Sequence, residues 1–295
     1  MKTSLFMNLS SCNKNVTSLL SKAIQTVGSL LRCLILSSLS VSIKSKKYNL
    51  LTKHDCCCVL ANGPSLKKAI DNGELPSEDC DYTCLNSFCD SEYFYQLKPR
   101  FYYLVDPLFF DPTIERARKQ VTNMIAAFEK VDWEMYLAIP SFVNARNIQQ
   151  LLSNKNIKIL RYNVTRVEGL KKTSFWLYKH NYGMPNCQTV LIFSIFSAIN
   201  FKYKRIFLYG ADQTWLRDLW VNDDNVLCQG DFHVYDTNGT VIKLPQSTMA
   251  DQCQMTANVF KAHEILREYA DYCGVEIINA TKGSFIDAYE RYKYN

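Results

Sequence analysis

The four-residue loop Asn62-Gly63-Pro64-Ser65 follows an apolar run and carries groups that suit a phosphate-bearing ligand. Gly63 allows a backbone to approach a ligand closely, and Pro64 with Ser65 can begin a helix whose free N–H groups attract anions. Asn62 can hydrogen-bond a ribose or a phosphate, and Ser65 can donate its hydroxyl. The alternative is a simple strand-to-helix turn capped by Ser65. The loop matches neither G-x-G-x-x-G nor the Walker pattern.

Three further segments place small or polar residues directly after apolar runs: Asn86, Asp106-Pro107 and Gly210–Asp212. Ligands of open parallel sheets bind beyond the carboxyl ends of the strands. If each apolar run is a strand, all four segments meet at one edge of the sheet although they are far apart in the chain. We therefore expect a nucleotide site built from Asn62, Gly63, Pro64, Ser65, Asn86, Asp106, Gly210 and Asp212.

The elements that must position these residues begin at Asp55, where short apolar runs start to alternate with helical patterns. The predicted strands are Cys56–Ala61, Tyr82–Leu85, Phe101–Val105, Tyr136–Ile139, Ile157–Leu160, Arg205–Tyr209 and Val275–Ile278. The predicted helices are Leu66–Asp71, Ser91–Leu97, Thr189–Asn200, Met255–Tyr272 and Phe285–Tyr292. This alternation predicts an α/β, Rossmann-like domain over residues 55–295, with a mostly parallel sheet and helices on both faces. A helical extension over residues 1–54 precedes it.

The net charge of +6 for the 295 residues comes from the N-terminal extension. Residues 1–54 contain eight Lys or Arg residues and no Asp or Glu. The rest of the chain has 26 basic residues against all 28 acidic ones. A basic surface for nucleic acid is therefore not expected on the folded domain.

The extension has the pattern of a helix that lies on a membrane surface. Its apolar residues at helical spacing are Ile24, Val27, Leu31, Leu34 and Ile35. The longest run without a charged residue is 11 residues, whereas a spanning helix needs about 20. We expect peripheral contact with anionic lipid through residues 1–50. A helix packed on the domain or on a partner, a flexible leader and an organelle transit peptide are alternatives.

The placement of the twelve cysteines favours reduced structural thiols in a cytoplasmic protein. Cys56, Cys57 and Cys58 are consecutive in a predicted buried strand, and the cysteines that follow lack the paired C-x-x-C spacing of a zinc site. Asp79-Cys80-Asp81 has the D-x-D pattern with which many glycosyltransferases bind a metal, but it precedes a strand. Both Asp79-Cys80-Asp81 and Asp223-Asp224 are interpreted as solvated loops, and no metal site is expected.

Four sequence motifs, VLANGPSL, CLNSF, YLVDP and RIFLYGAD, resemble those of the bacterial sialyltransferases of glycosyltransferase family 42. They are also similar to the 6-hydroxymethylpterin diphosphokinase MptE-like family. The resemblance runs from about Cys58 to the C-terminus. In the sialyltransferases the residues that match Asn62 and Ser65 contact the CMP part of the donor, and the match of Asn86 contacts the nucleotide sugar. Asp106 stands where that family has an Asn, so the resemblance leaves the sugar open.

The resemblance also implies catalytic candidates in the segment after Gly210–Asp212. The family's general base is a histidine there, and His233 is the histidine that this segment offers. A neutral imidazole can accept the proton of an acceptor hydroxyl near pH 7, although an exposed loop histidine is the alternative. The family's phosphate-binding tyrosines have no match beside Asp212. The candidates for phosphate or sugar contacts are therefore Thr189 at a helix start, Trp215, Arg217 and Tyr235.

The resemblance implies a glycosyltransferase of cell-surface polysaccharide synthesis, located in the cytoplasm or at the inner face of the membrane. The donor would be a nucleotide sugar, most simply a CMP-linked acidic sugar such as sialic acid or Kdo, and the acceptor a glycan or glycolipid. No cofactor is expected, because a CMP-sugar leaves a single phosphate. An MptE-like pyrophosphokinase that uses ATP and Mg²⁺, and a non-catalytic nucleotide-binding protein, are the alternatives.

Overall fold

The computed structural model describes residues 2–76, 79–110, 115–144, 148, 152–231 and 240–294. The strands are β1 Cys56–Leu60, β2 Cys80–Leu85, β3 Phe101–Tyr103, β4 Met135–Pro140, β5 Ile157–Tyr162, β6 Arg205–Tyr209, β7 Leu219–Val221, β8 Leu227–Asp231, β9 Thr240–Lys243, β10 Glu276–Asn279 and β11 Glu290–Arg291. The helices are α1 Lys2–Leu36, α2 Leu39–Ser45, α3 Ser65–Asp71, α4 Tyr93–Leu97, α5 Glu115–Glu129, α6 Lys171–Lys179, α7 Val190–Asn200 and α8 Met249–Cys273.

The main sheet has eight strands in the order β11-β10-β6-β1-β2-β3-β4-β5, and its neighbouring strands pair in parallel. The predicted Rossmann-like α/β fold is confirmed. β1 and β6 are neighbours at the centre of the sheet. After β1 the chain continues to β2 on one side of this pair, whereas the main-sheet strand that follows β6, β10, lies on the other side. The crevice between the two departing loops is the topological switch point, where sheets of this kind bind ligands.

Helices cover both faces of the sheet because successive side chains of each strand alternate between two cores. Cys57 and Val59 of β1 belong to the core that includes α7 and α8. Cys58 and Leu60 belong to the other core, with α3, α4 and α5. Almost every residue of α7 is buried, as its nearly unbroken apolar sequence requires. Its N-terminus is thereby fixed at the carboxyl edge of the sheet.

The predicted helix Phe285–Tyr292 is wrong, because this segment is irregular and ends in β11. Side chains take the place of helical hydrogen bonds there. The Arg291 guanidinium donates to the carbonyl oxygens of Ser284 (2.7 Å) and Ile286 (3.0 Å). Asn279 donates to the same Ile286 oxygen at 3.1 Å. With its carbonyl groups bonded in this way, the segment is held against the end of β10 without forming a helix.

The expectation of reduced thiols is wrong for Cys56 and Cys80, which form a disulfide. Parallel pairing of β1 with β2 places these residues directly opposite each other, with their Cα atoms 4.6 Å apart. That separation is one a disulfide can bridge. Cysteine spacing did not reveal the pair, because the register of two strands is set by the fold and not by local sequence.

A second sheet of three antiparallel strands, β7-β8-β9, follows β6 and was not predicted. Its first strand has only three residues, and both Trp220 and Val221 are exposed. The strand therefore lacks the clear alternation of buried and exposed positions by which a half-buried strand is recognised. The sheet is close to the carboxyl edge of the main sheet, since Gly230 of β8 lines the cavity described below.

The N-terminal helices pack on the domain through small polar side chains. Thr26 and Ser29 of α1 and Ser42 of α2 are buried. Ser29 donates to the Glu168 carbonyl oxygen at 2.9 Å, and Ser42 donates to that of Asn181 at 3.0 Å. Over the part of the chain that is described, the helix that is long and apolar enough to cross a membrane, judged by length and composition, is Thr17–Leu36.

Candidate functional site

A cavity of about 790 Å³ opens at the carboxyl edge of the main sheet, over the switch point between β1 and β6. Its volume is typical of small-molecule sites. The loops after β1, β2, β3 and β6 and the start of α7 line it. The lining residues that the sequence had singled out are Asn62, Gly63, Pro64, Asn86, Asp106, Thr189, Gly210, Asp212, Trp215 and Arg217. The fold thus brings all four polar segments together.

Three other residues singled out in the sequence are not among those that line this cavity. Ser65 lines a smaller neighbouring cavity of about 420 Å³. His233 and Tyr235 lie outside the described residues, so their roles stay predictions. Both belong to the sequence between β8 and β9, and Gly230 of β8 lines the cavity.

The loop after β1 is packed so closely against the loop after β6 that both contact points require glycine. A methyl group on Gly63 would lie 1.9 Å from Asp212 Oδ2 and 2.4 Å from the Gly210 carbonyl oxygen. Gly210 has φ +65°, and a methyl group there would lie 2.4 Å from the Ala61 carbonyl oxygen. The Gly63 N–H also donates to the Gly210 carbonyl at 2.9 Å. The sequence had suggested that Gly63 allows a ligand to approach the backbone closely. The group that lies against Gly63 is instead the Asp212 carboxylate.

The carboxylate of Asp212 lies at the start of α3, the place at which the sequence suggested that a phosphate binds. Ser65 donates its hydroxyl to Asp212 Oδ2 at 2.7 Å, and its backbone N–H also bonds this carboxylate. Burial raises the pKa of Asp212, while the bonds from Ser65 and the charge of Arg217 oppose the rise. A phosphate at the start of α3 would meet this carboxylate. The anion of a bound ligand is therefore expected at another part of the cavity.

Replacing Asp212 with asparagine is expected to stabilise the folded protein near neutral pH. The raised pKa means that folding favours the protonated carboxyl. That contribution is complete below the unfolded-state pKa and is lost as the pH rises through the folded-state pKa. Asparagine resembles the protonated form and carries no buried charge. We expect it to raise the free energy of unfolding by roughly 0.5–2 kcal/mol at neutral pH.

Urea unfolding of the Asp212→Asn variant at pH 7 and again near pH 4 measures this effect. The gain should shrink at the lower pH, because a raised pKa lets the wild-type carboxyl take up its proton as the pH falls. Asp223→Asn, in the exposed turn between β7 and β8, is the matched control and should change little at either pH. An Asp212→Asn variant that is less stable than the wild type at pH 7 would contradict the electrostatic account of this residue.

Three side chains that line the cavity carry a buried oxygen with no hydrogen-bond partner among the residues described: Asn62 Oδ1, Asn86 Oδ1 and Thr189 Oγ1. An unsatisfied buried polar atom costs about 1–3 kcal/mol and is uncommon in native proteins. Asn62 uses its amide nitrogen to bond the Leu85 carbonyl at 3.1 Å. Thr189 is the N-cap of α7, yet its side chain makes no capping bond. Three such oxygens around one cavity are available to accept hydrogen bonds from a polar ligand.

Asn86 is held in an unusual backbone conformation. Its φ is +46°, in the left-handed region that asparagine tolerates better than most residues. The buried Tyr102 hydroxyl donates to the Asn86 carbonyl oxygen and accepts the Cys89 N–H at 2.9 Å. This tyrosine therefore fixes the turn that presents the Asn86 side chain at the cavity wall.

Sequence reasoning missed Gln213, which lines the cavity directly after Asp212 and has φ +47°. Its Oε1 lies 3.1 Å from Nε2 of His263, and His263 Nδ1 lies 2.9 Å from the Tyr289 hydroxyl. Burial lowers the pKa of His263 to about 3, so its imidazole is neutral. The contact joins residues 50 positions apart, and no local signal predicts it. His263 holds the loop and does not line the cavity.

The two acidic motifs considered for metal binding have other surroundings in the structure. Asp81 is buried, and its Oδ2 accepts the Tyr203 hydroxyl at 2.6 Å and the Lys53 N–H at 2.8 Å. Asp223 and Asp224 are exposed in the turn between β7 and β8. The interpretation as a solvated loop is therefore wrong for Asp81, which belongs to β2 and has structural partners, whereas Asp223 and Asp224 are exposed as expected.

One group of metal-binding residue types is close enough to share an ion, among the residues whose placement is described. It consists of Cys56, Cys58 and Cys80. The disulfide engages the sulfurs of Cys56 and Cys80. Both residues lie at the amino ends of their strands, whereas the cavity is at the carboxyl ends. This group is therefore not part of the candidate site.

No protein-family model and no curated protein sequence matches the chain. Among solved structures it is similar to the MAf glycosyltransferase from Magnetospirillum magneticum AMB-1, with a TM-score of 0.49 and 13% identity. That match covers 85% of this chain and 38% of the other, so this chain spans well under half the length of that protein.

The chain is also similar to the sialyltransferase CstII from Campylobacter jejuni, solved in complex with a substrate analogue, cytidine-5'-monophosphate. The TM-score is 0.44 at 16% identity, over 81% of this chain and 85% of that one. A structure of the sialyltransferase CST-II with a trisaccharide acceptor and CMP gives 0.42 at 15% identity, over 80% and 85%. These neighbours are glycosyltransferases, and at such identities the similarity concerns the fold.

Proposed function

We propose that this chain is a glycosyltransferase whose donor is a nucleotide sugar, specifically a CMP-linked acidic sugar such as sialic acid or Kdo. The observation that carries the proposal is the cavity at the switch point of the sheet, with unpartnered buried oxygens on Asn62, Asn86 and Thr189. These residues suit a ligand that offers several hydrogen-bond donors, as the base and ribose of a nucleotide do. The motif resemblance to the family 42 sialyltransferases supports the choice of CMP.

In this proposal the phosphate of the donor binds near the start of α7. That helix has 11 residues and no acidic residue in its first turn, so its N-terminal dipole favours an anion. Gln188, Thr189 and Val190 line the cavity at this point. The start of α3 is a poorer place for the phosphate, because the Ser65 hydroxyl and backbone N–H there already bond the Asp212 carboxylate.

The proposed reaction is a displacement at the anomeric carbon of the sugar. The acceptor hydroxyl oxygen forms the new bond to this carbon, and the bond to the phosphate oxygen breaks with its electron pair leaving on CMP. The hydroxyl proton passes to a general base, for which His233 is the candidate. Arg217 lines the cavity and would neutralise the growing charge on the leaving phosphate. Trp215, also in the wall, offers a face on which a base or sugar can stack.

The acceptor in this proposal is a glycan or glycolipid of cell-surface polysaccharide synthesis, on the cytoplasmic side of the membrane. No metal is required, since one phosphate leaves with a charge that Arg217 and a helix N-terminus can balance.

A second candidate function is pyrophosphate transfer from ATP and Mg²⁺, as the MptE-like resemblance implies. The cavity bears on this candidate because Asp106, Asp212 and Asp218 line it together with Arg217, although these carboxylates are not among the described groups close enough to share one ion. Carboxylate oxygens are ligands that Mg²⁺ prefers, so one of these residues would help to hold the ion of an Mg²⁺–ATP complex, whose charge would activate the phosphates for transfer. This candidate requires a metal, which separates it from the first.

Nucleotide release by the full-length chain distinguishes the two candidates. The chain is incubated with CMP-, UDP- and GDP-linked sugars and with ATP, each in the presence of Mg²⁺ or EDTA. We expect slow release of CMP from a CMP-linked acidic sugar, unaffected by EDTA and increased by a suitable acceptor. Release of AMP from ATP that requires Mg²⁺ would favour the pyrophosphokinase. Failure to turn over any of these compounds, together with CMP binding, would favour the non-catalytic alternative.

A further inference from the structure

Helix α1 is oriented with its apolar face away from the protein. A helix on the surface of a water-soluble domain normally buries its apolar residues and exposes its polar ones. In α1 the buried positions include Thr26 and Ser29, whereas Ile24, Leu34 and Ile35 are 72%, 81% and 78% exposed. From Thr17 onward, the other large apolar side chains exposed on the two N-terminal helices are Leu19, Leu20, Val27, Leu30, Leu31, Leu36, Leu39 and Ile43.

Specific hydrogen bonds fix this orientation. The Thr26 hydroxyl accepts the Leu170 N–H at 2.8 Å. Ser29 Oγ accepts the Glu168 N–H at 2.9 Å and also donates to the carbonyl oxygen of the same residue. Further along, the Asn163 side chain accepts the Ser38 N–H at 2.8 Å. The polar side chains Thr26 and Ser29 of α1 therefore face the domain and bond to it.

Gly169 allows this close packing. Its φ is +117°, and a methyl group there would lie 2.2 Å from Thr26 Oγ1 and 2.6 Å from the Thr26 backbone nitrogen. The backbone of α1 at Thr26 thus lies directly against the loop that contains Gly169. A rotation of α1 that buried its apolar face would break these contacts and place leucine and isoleucine side chains where there is room only for small ones.

Positive charge follows this apolar face in the chain: Lys44 of α2, and Lys46 and Lys47 directly after it, are exposed. Residues 1–54 contain no acidic residue. This charge is complementary to an anionic surface, and a basic residue near an anionic lipid surface contributes about 1 kcal/mol. A surface for a second copy of the chain would gain nothing from this charge, because both copies would carry it.

We propose that α1 and α2 form a docking surface for an anionic lipid bilayer, with α1 lying in the plane of the interface. The hydrogen bonds at Thr26 and Ser29 hold α1 against the domain, and the bond at Ser38 holds the turn between α1 and α2. A helix that crossed the bilayer would have to give up these bonds. Docking in the plane keeps them and inserts Leu34 and Ile35 into the lipid.

Vesicle flotation of the full-length chain tests this proposal. The probes are phosphatidylcholine vesicles with and without about one third phosphatidylglycerol. We expect the wild type to float with the anionic vesicles and much less with the neutral ones. The Leu34→Gln/Ile35→Gln variant should lose at least about tenfold in its partition coefficient, because two apolar side chains no longer insert. Phe142→Gln, which removes an exposed apolar side chain elsewhere, should behave like the wild type.

Two further measurements make the outcome decisive. Equal thermal unfolding of the variants shows that binding, and not folding, has changed. A genetically encoded fluorescent residue, placed in turn at Ile24 and Leu34, reports depth through lipid-borne quenchers. Equal depths at the two positions are expected for a helix in the plane. Unequal depths would indicate a spanning helix. Equal flotation of the wild type and the double variant, or dimerisation of the wild type without vesicle binding, would overturn the proposal.

Discussion

Replacing His233 with alanine is expected to lower kcat by about 10²–10⁴-fold, the usual contribution of a general base. The residue follows β8 closely, and Gly230 of that strand lines the cavity. Among the described histidines, His54, His180 and His263, none lines the cavity. The affinity for CMP should be nearly unchanged, because the base meets the acceptor and not the nucleotide.

Steady-state rates and CMP titrations on the same preparations check this prediction. His180→Ala is the matched control, since His180 Nδ1 lies 2.8 Å from the Trp176 carbonyl oxygen and the residue lies away from the cavity. If His233→Ala keeps a nearly normal kcat, the base is another residue, and Asp231, Asp236 and Asp106 are the next candidates. A parallel loss of CMP affinity would indicate a structural role for His233.

The sheet was largely predictable because its strands carry strong local signals. Arg205–Tyr209 was predicted with its observed limits, and Cys56–Ala61 exceeds β1 by one residue. Both are apolar runs that end at a glycine or at a small polar residue, and burial on two faces accounts for their composition. β7 and the irregular segment after Ser284 were missed because they depend on tertiary contacts. In the second case the Arg291 side chain satisfies carbonyl groups that a local pattern would assign to a helix.

The composition of the site was predictable, but its internal arrangement was not. The carboxyl-end rule for parallel sheets selected Asn62, Asn86, Asp106 and Asp212 from the sequence, and all four line the cavity. The bond between Ser65 and Asp212 joins residues 147 positions apart. It changes the interpretation of the loop, because the helix start that appeared open to phosphate holds a carboxylate. The orientation of α1 was hidden in the same way, since an amphipathic pattern does not say which face meets the domain.

The second large effect is expected at Thr189. Its hydroxyl oxygen is buried without a partner among the described side chains, at the start of α7. If this group bonds the donor phosphate or sugar, Thr189→Val should weaken CMP binding by about tenfold to a hundredfold, which corresponds to one lost bond from a buried group. The unliganded protein should not be destabilised, because valine removes an unsatisfied polar atom and keeps the shape. The combination of weaker binding with unchanged stability is not expected of a purely structural residue.

Calorimetric titration of CMP is the measurement that tests the central claim most directly. The wild type should bind CMP more tightly than ATP with Mg²⁺ or NAD, and without added metal. Thr189→Val and Asn86→Ala should lose most of this affinity. Thr52→Val, whose hydroxyl bonds the Asn49 carbonyl oxygen away from the cavity, should retain it. If CMP binds all four proteins equally, or if only ATP with Mg²⁺ binds the wild type, the cavity is not a site for a CMP-linked sugar and the proposed function is wrong.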